Sequence, residues 1–198
     1  NVQSEVIREI RESVLLAKQL CVVSIAAGRT TDQIISDFGA AIPLVRVMPN
    51  VNAQVGQSMS ALCPVGTTDE QLAAARKLLD SVGETIVLDE KYFPVFTAIA
   101  SSSPAWIFRM IDAMAEAGVN HGLTKADSTR IVAQAFAGSA QLLLGGLDNG
   151  QVPANFIDRV SSPGGTTIAG LLAAQEAGLS SAIVAAVDAA VERDHHLG

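Results

Sequence analysis

The rhythm of apolar positions changes near residue 90. Before it, short apolar runs alternate with stretches of helical spacing. Residues 4–19 carry Val6, Ile10, Val14 and Ala17 three to four apart, which predicts a helix with one apolar face. Leu20-Cys21-Val22-Val23-Ser24-Ile25 reads as a buried strand ending in Ala26-Ala27-Gly28, and a helix follows near Thr31–Phe38. Leu44-Val45-Arg46-Val47-Met48 is a second strand, closed by Pro49-Asn50, and Met59–Cys63 is a third. Thr67 with Glu70 three residues on predicts a capping box before a helix bearing Leu72, Ala75, Leu78, Leu79 and Val82. Thr85–Leu88 reads as a last short strand. Strands alternating with helices predict α/β layering around a largely parallel sheet.

From about Asp89 the strand signals stop. Ser103-Pro104 predicts a helix start with proline at the first position, a stripe of Ile107, Met110, Ile111 and Met114, and a stop at Gly118. Thr124 opens the next helix, expected to run to Gly145-Gly146. A short helix over Pro153–Val160 leads to Ser161-Ser162-Pro163-Gly164-Gly165-Thr166-Thr167, and two helices separated by Gly178 follow. The fold class is therefore α/β then all-α, with residues 1–90 and 91–198 as the two domains.

Composition narrows the class. Apolar residues make up 49% of the 198 and charged residues 17%, too hydrophobic for a disordered chain. The excess is in Ala, Val, Ile and Leu, as in Ile183-Val184-Ala185-Ala186-Val187, which predicts closely packed helices and a homodimer formed by residues 104–194. A formal charge of −7 and the lack of a basic patch interleaved with aromatics argue against nucleic acid. No run reaches the roughly 20 apolar residues of a membrane span. The N-terminal residues lack the pattern of a secretory signal. Cys21 and Cys63 lie in strand-like runs and read as buried thiols, so the expected location is cytoplasmic.

The segment with most chemical content is Ser162–Thr167. Two glycines feeding a helix leave backbone N–H groups at its positive end, where an anion can approach closely. Ser162 and Thr167 add hydroxyl donors. A plain capped helix start has the same local composition.

Ser162-Pro163-Gly164-Gly165-Thr166-Thr167-Ile168-Ala169-Gly170-Leu171 resembles the signature of pyrroline-5-carboxylate reductases. Ser24–Gly28, Val45-Arg46-Val47-Met48-Pro49-Asn50, Ser102 with Pro104-Ala105, and Ala189–Arg193 agree in order and spacing, so the resemblance covers essentially the whole chain. It implies reduction of the cyclic imine 1-pyrroline-5-carboxylate to L-proline with hydride from NADPH or NADH. It also implies part of a Rossmann-type domain followed by a helical dimerisation domain, with dimers assembled into rings in some members. By that resemblance the substrate carboxylate is held at Ser162 and at the backbone N–H groups of Gly165 and Thr166, within a turn that includes Gly164. Thr167 then bonds the ring nitrogen and Ser102 lies at the substrate. Ala26, Ala27, Gly28, Met48, Pro49 and Asn50 lie along the NADP or NAD cofactor.

The chain departs from the family in several places. No G-x-G-x-x-G turn occurs, so the chain is expected to be a piece of a longer protein and to bind NADPH poorly by itself. Asn50-Val51-Asn52 stands where the family has Asn-Thr-Pro. Ser101-Ser102-Ser103-Pro104-Ala105-Trp106 stands where it has Gly-Ser-Gly-Pro-Ala-Tyr. The competing readings are a catalytically silent dimerisation module and a reductase of a different imine. His121, His195 and His196 read as loop or tail residues without a metal, and Arg46 as either an anion-steering group or a strand-end surface charge.

Overall fold

The computed structural model describes residues 2–16 and 20–196; Ala17, expected on the first helix, lies outside them. It divides into two units. One runs to Pro104 and resumes at Ala186, and the other is Ala105–Ala185.

The first unit contains α1 (Val2–Leu16), β1 (Val22–Ser24), α2 (Thr31–Phe38), β2 (Leu44–Met48), β3 (Ser58–Val65), α3 (Asp69–Asp80) and β4 (Gly83–Val87). The strands form one sheet in the order β1-β2-β3-β4. β1 with β2 and β3 with β4 are parallel, joined through α2 and α3, whereas β2 and β3 are antiparallel. The sheet is thus mixed where a largely parallel one is expected. The reason is chain length. Residues 49–57 are too few for a parallel crossover, which takes about a dozen or more, and they turn the chain back through a 3₁₀ turn at Val51–Val55.

Both sheet faces are covered, which explains why the strands read as continuous apolar runs. Val45, Val47 and Leu62 pack with Ala75 and Leu79 of α3 on one face. On the other, Leu44 packs with Ile34 and Phe38 of α2, while Ala61 and Cys63 pack with Phe93 and Phe96. By strand alternation Arg46 shares the second face with Leu44 and Met48. Beside β1, at the end of the sheet, Val6, Ile10, Val22 and Ile25 line an apolar groove of about 320 Å³.

The capping box of α3 lies one residue later than expected. Thr68 Oγ1 accepts the Gln71 N–H at 3.3 Å and Gln71 Oε1 accepts the Thr68 N–H at 3.0 Å. That frame puts Asp69 and Glu70 in the first turn, where carboxylates oppose the helix dipole favourably.

A second correction concerns Pro104. Helix already begins at Phe93: α4 (Phe93–Phe96) passes through a π-helical turn at Thr97–Ser102 directly into α5 (Ser103–Asn120). Pro104 therefore sits inside a helix rather than at its start. It has no N–H to offer the carbonyl four residues back, that of Ala100, and its ring crowds that carbonyl. The π turn relieves the conflict, as such turns often do near functional sites.

The second unit holds the rest of α5, α6 (Lys125–Leu147), α7 (Pro153–Val160), α8 (Thr166–Glu176) and the start of α9 (Leu179–His195). Thr124 caps α6, its Oγ1 accepting the Asp127 N–H at 3.1 Å. Gly118 is helical and does not stop α5, and α6 continues through Gly145-Gly146 to Leu147. Two of these glycines serve close approach instead. A Cβ on Gly118 would lie 2.5 Å from Ser128 Oγ, and one on Gly146 would lie 2.5 Å from the Phe156 ring. Among the described residues no single helix is long and apolar enough to cross a membrane; α8 and α9 together match in length and composition but bend by 53° between them.

Candidate active site

Ser24 pairs with Arg46 in the parallel register of β1 and β2. Ala26-Ala27-Gly28 and Met48-Pro49-Asn50 therefore leave the sheet side by side, at the carboxyl ends of adjacent parallel strands. Open α/β sheets bind ligands at such strand ends. Gly28 has φ +69°, a left-handed value that glycine reaches at no steric cost and that turns the chain toward α2. The Ala26 N–H meets Ser24 Oγ at 3.4 Å and ties the loop to the strand end.

The second loop is latched to the π turn. Asn50 Nδ2 donates at 2.9 Å to the Ala100 carbonyl, to which Pro104 has no N–H to offer. Ser101 Oγ donates to the Pro49 carbonyl at 3.1 Å, and Ser103 Oγ to the Ile99 carbonyl at 2.7 Å. Ser101 and Ser103 thus each donate to a backbone carbonyl, and Ser101 adds a second tie to the loop. Asn50 also uses Oδ1 to accept the Asn52 N–H at 3.2 Å, capping the 3₁₀ turn. Ser102 lies half-buried within the π turn, next to Ser101, whose hydroxyl reaches the Pro49 carbonyl.

Ser162, Gly164, Gly165, Thr166 and Thr167 gather separately, in the second unit. Gly164 has φ +66° and makes the turn. The Gly165 N–H donates to the Ser162 carbonyl at 3.0 Å. That bond engages the Gly165 N–H within the turn. What Gly165 provides is room: a Cβ there would lie 2.3 Å from Ser162 Oγ and 3.1 Å from the Ser162 carbonyl oxygen. Gly165 caps α8 with no side-chain hydrogen bond, so the N–H groups of Thr166 and Thr167 stand at the helix mouth. Ser162, Thr166 and Thr167 are all exposed and able to meet a ligand.

Arg46 is buried, against the reading of a strand-end surface charge. Its NH1 donates to Glu90 Oε1 at 2.6 Å and its guanidinium lies 4.4 Å from the centroid of the Phe93 ring. Glu90 also accepts the Thr31 N–H at 2.7 Å and the Thr31 hydroxyl at 2.8 Å. Burial raises the Glu90 carboxyl, but the bonds from Thr31 and Arg46 outweigh it and hold the group below the usual carboxylate range. Sequence reading missed this cluster. The available signal was a lone arginine on an inward-facing strand position, which needs a buried partner. Both cysteines are free thiols; burial pushes Cys63 upward, and the Glu90 charge adds to that. Among the described residues no three His, Cys, Asp or Glu side chains gather as a metal site would require.

The family described as pyrroline-5-carboxylate reductase dimerisation matches residues 90–197. The pyrroline-5-carboxylate reductase of Corynebacterium melassecola is 36% identical over 91% of this chain, and the chain spans 66% of that relative, just under two thirds. The structure of a pyrroline-5-carboxylate reductase from Coxiella burnetii superposes with a TM-score of 0.91 at 28% identity, covering 99% of this chain and 72% of that one. The Plasmodium falciparum pyrroline carboxylate reductase, crystallised with NADP bound, superposes with a TM-score of 0.87 at 25% identity, covering 100% and 77%.

Proposed function

This chain belongs to the pyrroline-5-carboxylate reductase family, and from that premise we propose that it reduces 1-pyrroline-5-carboxylate to L-proline at the expense of NADPH or NADH. The observation that carries the reading is the turn Ser162–Thr167, where a left-handed glycine, a glycine pressed against Ser162 and an uncapped helix mouth coincide. A cyclic imine bearing a carboxylate needs an anchor for its anion and a partner at nitrogen. Ser162 Oγ and the Thr166 N–H supply the anchor, with Gly164 and Gly165 leaving space for it. The Thr167 hydroxyl faces the ring nitrogen and stabilises its changing charge. Such fixed dipoles and orientation account for the catalysis, without a covalent nucleophile.

The residues at the strand ends suit a nicotinamide dinucleotide. Ala26, Ala27 and Gly28 are small, Gly28 is left-handed, and Met48-Pro49-Asn50 is held rigidly by two bonds to the π turn. When bound, the nicotinamide supplies the hydride. Residues 1–90 form part of the dinucleotide-binding domain and residues 91–198 the dimerisation and substrate domain. The working unit is a homodimer, with rings of dimers as in some family members, acting on a small molecule in the cytoplasm.

Steady-state kinetics on the full-length protein test the site. Thr167→Ala removes the donor aligned with nitrogen and is expected to lower kcat about 10²–10³-fold. Gly165→Ala displaces Ser162 Oγ and is expected to raise KM for the imine about tenfold with kcat within about twofold of wild type. Wild-type constants in both variants would reduce the turn to a helix cap. Absence of turnover in the wild type would favour a silent dimerisation module.

A further inference from the structure

Glu90 joins three segments that are distant in sequence. Its carboxylate receives the backbone N–H and hydroxyl of Thr31, at the start of α2, and the guanidinium of Arg46, on β2. Each partner stands next to a candidate cofactor loop: Thr31 follows Ala26–Gly28 by three residues, and Arg46 precedes Met48 by two. Glu90 itself opens the 3₁₀ turn Glu90–Tyr92, which leads into the helix containing Ser102. Phe93, itself buried, packs against the Arg46 guanidinium. A cavity of about 410 Å³ opens beside the cluster, lined among others by Gly28, Thr30, Arg46 and Glu90. The carboxylate is therefore not sealed in the core but forms a wall continuous with Gly28.

We propose that Glu90 is a positioning residue that sets the separation of the Ala26–Gly28 and Met48–Asn50 loops, and through it the fit of the nicotinamide dinucleotide. The inference rests on the reductase reading above. It adds a residue outside the candidate contact residues, acting through Thr31 and Arg46. A side chain that only stabilised the fold would change the active fraction, and so apparent kcat, and leave both KM values unchanged. A loop spacer acts on the nucleotide alone.

The test is full kinetics of the full-length protein, varying NADPH and imine independently. Glu90→Gln replaces one carboxylate oxygen by an NH2 group, which donates and cannot accept a hydrogen bond. It is expected to raise KM for NADPH about tenfold, the loss of one charge-assisted bond, with kcat at saturating nucleotide and KM for the imine within about twofold. Thr31→Ala leaves the Arg46–Glu90 pair intact and is expected to raise the same constant about threefold, whereas Thr31→Ser, which keeps the hydroxyl, restores it. The Thr31 pair carries the test if Glu90→Gln fails to fold. The proposal is overturned if KM for NADPH stays within twofold of wild type in both Glu90→Gln and Thr31→Ala. It is equally overturned if Thr31→Ala alters imine KM and kcat as much as nucleotide KM. A wild-type protein that turns over no imine with either nucleotide refutes the reductase reading itself, and the role of Glu90 with it.

Discussion

The sheet unit and the helical unit solve the burial problem differently. In the first, Leu44, Val45, Leu62, Phe38 and Phe93 are buried almost completely, and three apolar clusters fill both sides of the sheet. In the second, the buried described residues are Ala115, Ser128, Val132 and Gly146, all small or of moderate size. α7, α8 and α9 bury no residue, and Phe108, Leu172 and Val184 are each more than half exposed. Burying one such side chain fully is worth about 1.5–3 kcal/mol. A helical region that leaves many of them in water is suited to a second copy of itself. The sheet unit buries its large apolar side chains within the chain, whereas the helical unit leaves its own exposed, as the proposed homodimer requires.

The largest expected effect that could break this contrast comes from a charge on the exposed helical face. Leu172→Glu would place a carboxylate on the exposed apolar surface of α8, and if the proposed homodimer forms through that surface it is expected to weaken dimerisation about 100-fold or more. Sedimentation at micromolar concentration should then show monomer. Hydrogen exchange should show protection lost in α6–α9 and kept in β2 and β3. A dimer of unchanged strength would place the association surface elsewhere.

A smaller effect sharpens the comparison inside the helical unit. Gly118→Ala forces a methyl toward Ser128, which is buried, and overpacking of this kind costs about 1–3 kcal/mol. Thermal or urea unfolding should register that loss. A gain in stability, as expected from helix propensity alone, would show that α5 and α6 do not approach closely at this point.

The smallest effect belongs to the sheet unit. The folded Glu90 carboxyl is held below its ordinary value, so its ionised form contributes stability above the unfolded glutamate pKa of about 4.3. That contribution is lost as pH falls through the lower folded value. The gap in melting temperature between wild type and Glu90→Gln should therefore be widest near neutrality and narrow below pH of about 4. A gap independent of pH would mean that the carboxylate charge has no part in stability.

Much of this was legible in local pattern. The helix over Pro153–Val160 and the strand Leu44–Met48 lie where hydrophobic spacing puts them. The turn Ser162–Thr167 was legible because glycine spacing and helix-end chemistry are local properties. Less legible were features that depend on a distant partner. The proline in Ser103-Pro104 is written the same way at a helix start and inside a helix, and the π turn and the Asn50 donor that accommodate the second arrangement depend on the tertiary fold. Gly118 and Gly146 have the look of helix stops, yet their lack of a side chain is used by Ser128 and Phe156 from other helices. The engaged N–H of Gly165 likewise could not be read from composition, because it depends on how the turn closes.

By itself the sequence determined the order and type of elements, the change from α/β to helix near residue 90, and the family. Each of these follows from residue types at short spacing, which local sterics, backbone hydrogen bonding and apolar periodicity control. Tertiary structure alone decided the antiparallel β2–β3 pair, the π turn above Asn50 and the burial of Arg46 between Glu90 and Phe93. Glu90 lies 44 residues from Arg46 and 59 from Thr31, and no periodicity spans such distances. An inward-facing arginine shows only that some acceptor is required. Which carboxylate meets it depends on how the folded chain brings β2, α2 and the start of the long helix together.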